Sequence, residues 1–74
     1  MQVGSLVTWV LDVINNNAPL EYGVVIGHFN GKSKGRNNAC VWVKFANGQH
    51  AWRERTLCAI AQLVLVEDIK QKRT

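Results

Sequence analysis

The chain has 74 residues, 47% hydrophobic and 19% charged, with nine Lys and Arg against five Asp and Glu and a formal net charge of +4. That length holds one domain with one core, and the apolar fraction is too high for a disordered tail. The basic balance favours anionic partners such as nucleic acid. Two cysteines, Cys40 and Cys58, are too few for a disulfide framework and fit a reducing compartment.

The amino terminus has no basic region ahead of an apolar run, so no signal peptide is expected. The longest apolar stretch, Leu57 to Val66, is interrupted by Gln62 and is far below the ~20 residues of a membrane helix. A cytoplasmic protein with no membrane partner is the expectation.

In chain order, Val3 to Leu11 is rich in β-formers and predicts a first strand. Asn15-Asn16-Asn17-Ala18-Pro19 predicts a loop, because Asn tolerates turn conformations and Pro cannot donate to a ladder. Gly23 to Phe29 predicts a second strand centred on Val24, Val25 and Ile26. Asn30 to Asn38 reads NGKSKGRNN, all polar or glycine, and predicts a flexible loop.

Ala39 to Arg53 carries the clearest pattern. Val41, Val43 and Phe45 alternate with Trp42 and Lys44, the period-two signature of a strand with one buried face. Asn47-Gly48 supplies the residues of a two-residue type I′ turn. Such a turn sets Phe45 against His50, Val43 against Trp52 and Trp42 against Arg53. On that register Val41, Val43, Phe45, His50 and Trp52 face the core, and Cys40, Trp42, Lys44, Gln49, Ala51 and Arg53 face outward. A slip of one residue would reverse every assignment.

Beyond Arg53, Glu54 to Cys58 reads as one helical turn and Gln62 to Glu67 as a last strand. The competing reading is one amphipathic helix from Glu54 to about Val66, since Leu57, Ile60, Ala61 and Val64 fall at helical spacing. Turn plus strand is preferred, because Val64 and Val66 suit a sheet and a small barrel needs a closing strand. Residues 1–68 form the domain, and Ile69 to Thr74 a charged, frayed tail.

The succession Val3-Gly4-Ser5-Leu6-Val7, Gly23-Val24-Val25, Val41-Trp42-Val43-Lys44-Phe45 and Asn47-Gly48 with Trp52 resembles SH3-like barrels of the Tudor, PWWP and KOW type. It is most similar to the small stand-alone versions of bacteria and phages. The resemblance covers roughly residues 3 to 67 and rests on pattern, not on a signature motif. It implies an all-β barrel of about five short antiparallel strands, with a short helical turn before the last. It also implies binding of nucleic acid, peptide or another subunit. The Pro-Trp-Trp-Pro run of PWWP domains is missing, and no Tudor-type aromatic cage carries over residue by residue.

Several motifs do not carry the chemistry they suggest. Gly31-Lys32-Ser33 resembles the end of a phosphate-binding loop, but the required earlier glycine position is Ile26 and no βαβ unit follows. His28, His50, Cys40 and Cys58 lack the paired spacing of structural zinc sites, so no metal is expected. The same residues lack a third group to orient a Cys-His nucleophile. Asp12, Glu21, Glu54, Glu67 and Asp68 form no evident pair. No cofactor and no catalytic activity are expected.

Two features point to a binding surface. Lys32, Lys34 and Arg36 alternate with Gly and Ser in a loop suited to following phosphates. Trp42, on the outer face with Lys44 and Arg53, suits base stacking flanked by cations. Nucleic-acid binding through these six residues is the leading expectation. The alternative is a protein-interaction or self-assembling surface centred on Trp42, where Trp and Arg serve as anchors. A third reading has the carboxy-terminal segment folding over Trp42.

Overall fold

The computed structural model describes residues 1–29, 32–33, 36–37 and 39–71, and for 32–33, 36–37 and 70–71 it describes the backbone alone. Its strands are β1 (Leu6–Trp9), β2 (Gly23–Phe29), β3 (Lys32–Ser33), β4 (Arg36–Asn37), β5 (Cys40–Phe45), β6 (Thr56–Ala59) and β7 (Leu63–Leu65). Two short helices, α1 (Val10–Ile14) and α2 (Val66–Gln71), and a 3-10 turn at Ile60–Gln62 complete the chain. Five strands form one antiparallel sheet in the order β6-β5-β2-β1-β7. The sheet is mostly strand-built, as the alternation predicts, but it is not closed: β6 and β7 are its two edges. No helix among the described residues is long and apolar enough to cross a membrane.

The core lies where the alternation of β5 places it. Val41, Val43 and Phe45 are buried together with Val7, Val25, Cys58 and Leu63. Each fully buried valine contributes roughly 1.5–3 kcal/mol of hydrophobic stabilisation. Gly23 is buried beneath this cluster, and a Cβ there would collide with Val43 Cγ1. β2 follows the predicted span, with one bulge between Val25 and Gly27. The bulge shifts the alternation by one residue, so that Val25 pairs with buried Val43 while Gly27, like Ile26 before it, falls on the outer face opposite Trp42.

The first strand is shorter than expected. Val10 and Leu11 leave it for α1, whose residues Val10, Val13 and Ile14 line a groove of about 320 Å³ shared with Val64 and Ile69. The β-propensity of two valines is thus overridden by contact with the end of the chain. The Asn run closes α1: the Asn15 amide donates to Leu11 O, and Asn16 takes a left-handed φ of 54°.

The hairpin register is corrected. The two-residue Asn47-Gly48 turn does not form; residues 46–55 make a long connection, and β5 pairs with β6 instead. Val43 lies opposite Thr56, not Trp52, and Trp42 opposite Leu57, not Arg53. Gly48 takes a positive φ of 84° as expected. Asn47 does not, because its side chain is drawn into other bonds: Oδ1 accepts from the Tyr22 amide at 2.7 Å and Nδ2 donates to Leu20 O at 2.9 Å. Trp52 is therefore exposed and off the core face, whereas His50 is half buried with its ring against Phe45.

The carboxy-terminal third keeps the predicted order but shifts its bounds. Thr56–Ala59 is strand, not helical turn, because Cys58 pairs with Val41 and enters the core. The helical turn comes next, at Ile60–Gln62, and the last strand is Leu63–Leu65, paired with β1. The single-helix reading of 54–66 is overturned. The expected tail is helical as far as Gln71, and Ile69 lines the groove against α1.

Candidate functional site

The outward-facing positions of β2, β5 and β6 gather on one surface. Trp42 sits at its centre and is half buried, with Phe29 meeting it edge-on at 6.0 Å between ring centroids. Gly27 pairs with Trp42, and a Cβ there would meet Trp42 Cδ1 at 3.9 Å, an ordinary contact distance. Around it stand Ile26, Phe29 and Leu57, exposed by 46%, 40% and 43%. Neighbouring apolar side chains left in water mark an interaction surface.

The cations on this surface differ from those expected. Arg55 places its guanidinium 3.9 Å above the Trp42 ring, well within cation–π range. Arg53 lies 5.0 Å over the ring of its neighbour Trp52. Lys44 is exposed, but its Nζ donates to Ala51 O at 3.2 Å and to Arg53 O at 2.7 Å. The ammonium thus straps the 46–55 connection against β5. Among the described residues, neither Arg53 nor Arg55 has a carboxylate within ion-pair distance; the one carboxylate contact of that kind is Glu21 Oε2 with His50 Nδ1.

The connection itself is held at several points. Glu21 Oε2 lies 3.2 Å from His50 Nδ1 and accepts from the His50 amide at 3.4 Å. The His50 ring packs against Phe45 and Trp9 at 5.4 and 5.6 Å. The Ala51 amide donates to Gly48 O and the Arg53 amide to His50 O. Trp52, between two carbonyls gripped by Lys44, is 77% exposed.

Of the six residues expected to form the site, Trp42, Lys44 and Arg53 come together on this surface. Lys32 and Arg36 belong to β3 and β4, which pair with each other. Their side chains, and Lys34 entirely, lie outside the described residues. The segment that carries them leaves the sheet at Phe29 and re-enters it at Cys40, which pairs with Phe29. Sequence reasoning missed Trp52 and Arg55. The available signal was Trp52-Arg53-Glu54-Arg55, whose density of charge suits a surface loop better than a strand with a buried face.

The remaining groups do not converge. His28 Nε2 lies 2.7 Å from Met1 O, Cys58 is buried and Cys40 half buried, both as free thiols. Among the described residues no three His, Cys, Asp or Glu side chains are grouped to hold a metal. A second groove, of about 410 Å³, lies between α1 and the 3-10 turn and is lined by Trp9, Leu11, Asp12 and Ala61 among others. Its one carboxylate, Asp12, already accepts from Asn17 Nδ2 at 3.1 Å. Compared with protein-family models, curated proteins and solved structures, the chain matches none.

Proposed function

We propose that this chain is a non-catalytic binding module of the SH3-like kind, and that its outer sheet face binds nucleic acid. The strand order supports the architectural part: the last strand follows a 3-10 turn and returns beside the first. One observation carries the functional part. Two arginines, Arg53 and Arg55, hold their guanidinium carbons 5.0 and 3.9 Å from the ring centroids of Trp52 and Trp42, with no carboxylate partner among the described residues. A stacked guanidinium is weakly hydrated, and its planar fork of donors is shaped for phosphate. The chain between Phe29 and Cys40, two residues that pair beside this surface, carries Lys32, Lys34 and Arg36 in its sequence.

The test is binding of mixed-sequence oligonucleotides, followed by fluorescence anisotropy between about 50 and 200 mM salt. Affinity should fall steeply with salt, and Arg53→Ala and Arg55→Ala should each lower the salt slope by about one. Absence of binding at the lowest salt would refute the reading. A protein-interaction surface is the second reading, favoured by the exposed Ile26, Phe29 and Leu57. In that case Leu57→Asp would lower the native mass or abolish partner capture, with little dependence on salt.

A further inference from the structure

We infer that the nucleic acid this surface takes is single-stranded, with an unpaired base stacked on Trp52 and neighbouring phosphates held by Arg53 and Arg55. The inference rests on the nucleic-acid reading above and narrows it to one class of ligand.

The first argument is that Trp52 is displayed, not merely exposed. Lys44 Nζ binds the carbonyls of both residues that flank it, Ala51 and Arg53. Two backbone bonds, Ala51 N to Gly48 O at 3.3 Å and Arg53 N to His50 O at 3.1 Å, fold the segment into successive turns around it. Glu21 fixes His50 on the amino-terminal side. The backbone that presents the indole is thus held in place, although the indole itself buries little area. Leaving a large aromatic in water costs hydrophobic free energy, and ordering the chain beneath it costs entropy. Such an arrangement makes sense where a ligand completes the stack.

The second argument concerns which ligand can complete it. Arg53 occupies one side of the Trp52 ring. A planar base can stack on the other, as bases do on aromatic platforms that bind single strands. In a duplex the base faces are stacked on one another, so the ring would have to unstack a pair first. Trp42 does not compete for this role, because Arg55 already covers it. Its part is to hold that guanidinium against the sheet, about two extended residues, at most ~7 Å, along the chain from Arg53. The surface then offers a stacking ring and two unpaired cations in a row.

The experiment compares a mixed-sequence single-stranded 12-mer with the duplex of the same sequence, by anisotropy at low salt, using the full chain. The single strand should bind at least tenfold more tightly. Trp52→Ala should weaken single-strand binding by roughly 5- to 150-fold, the range for one stacked base. Trp52→Phe should retain most of the affinity. Circular dichroism should show both variants folded, as expected for an exposed side chain.

Equal affinity for duplex and single strand, or an unaffected Trp52→Ala variant with salt-dependent binding intact, would overturn the single-strand assignment and leave the nucleic-acid reading standing. No binding of either oligonucleotide by the wild-type chain would overturn both.

Discussion

At Gly23 the chain accepts no side chain, and the reason is packing. The residue pairs with Val7 on one side and Phe45 on the other, and a Cβ would meet Phe45 Cδ1 at 3.1 Å and Lys44 O at 3.2 Å besides striking Val43. Val43 is fully buried and cannot retreat without disturbing Val25 and Val41. Gly23→Ala should therefore destabilise by about 1–3 kcal/mol, as overpacked cores do. At ~4–8 °C per kcal/mol for a domain of this size, thermal unfolding should register the loss clearly. A Gly23→Ala variant as stable as the wild type would mean that this approach is looser than described. Gly27, four residues on, faces open space beside Trp42 and tolerates alanine far better.

At the scale of elements, β2 and β5 were legible because their signals are local. Alternation in Val41-Trp42-Val43-Lys44-Phe45 sorts inside from outside without reference to any partner strand. The pairing of β5 was not legible, because it depends on contacts far away in the chain. Asn47-Gly48 is a strong turn signal, yet the Asn47 side chain binds Leu20 and Tyr22, and the gain from those bonds outweighs a two-residue hairpin. Trp42 was rightly placed on the outer face, since alternation alone decides that. Its neighbour was misassigned because Arg53 and Arg55 differ by the register. Lys44 is where this reading can be checked. Lys44→Met removes both bonds to the carbonyls beside Trp52 but leaves the sheet untouched. Thermal stability should change little, because the strap is exposed to solvent. Hydrogen exchange at the Ala51 and Arg53 amides should quicken, and oligonucleotide affinity should fall along with it. Unchanged exchange would show that the other anchors suffice to hold the connection.

For the molecule as a whole, about five antiparallel strands were anticipated but not their order, and closure was not achieved. The strands that would close the barrel, β6 and β7, are joined by the 3-10 turn instead of a ladder. Cys58, on edge strand β6, is buried against Val41, and burial, with a smaller contribution from nearby Cys40, pushes its thiol up to about 11 from an ordinary 9.0. A thiol is neutral when protonated, so the folded state favours the protonated form. Below pH 9 folded and unfolded chains both keep the proton, and this stabilising contribution is fully present. As pH rises from about 9 towards 11 the unfolded chain gives its proton up first, and stability falls. Denaturant midpoints measured across that interval should drop more for the wild type than for Cys58→Val. Parallel curves for the two proteins would remove Cys58 as the cause. Alkylation at pH 8 should modify half-exposed Cys40 well before Cys58.

The anchoring of residues 46–55 bears on whether the binding surface is portable. Every group that shapes the connection from outside comes from elsewhere in the chain: Glu21 on His50, Leu20 and Tyr22 on Asn47, Lys44 on the carbonyls either side of Trp52. A peptide with this sequence, or the same stretch grafted into a foreign hairpin, would carry Trp52, Arg53 and Arg55 without the geometry that presents them. Conversely, changes at Trp52, Arg53 or Arg55 leave every one of those outside anchors in place, because the anchors grip backbone atoms and the side chains of other residues. Under the proposed binding function, ligand preference would then drift through the exposed side chains while the scaffold stays constant.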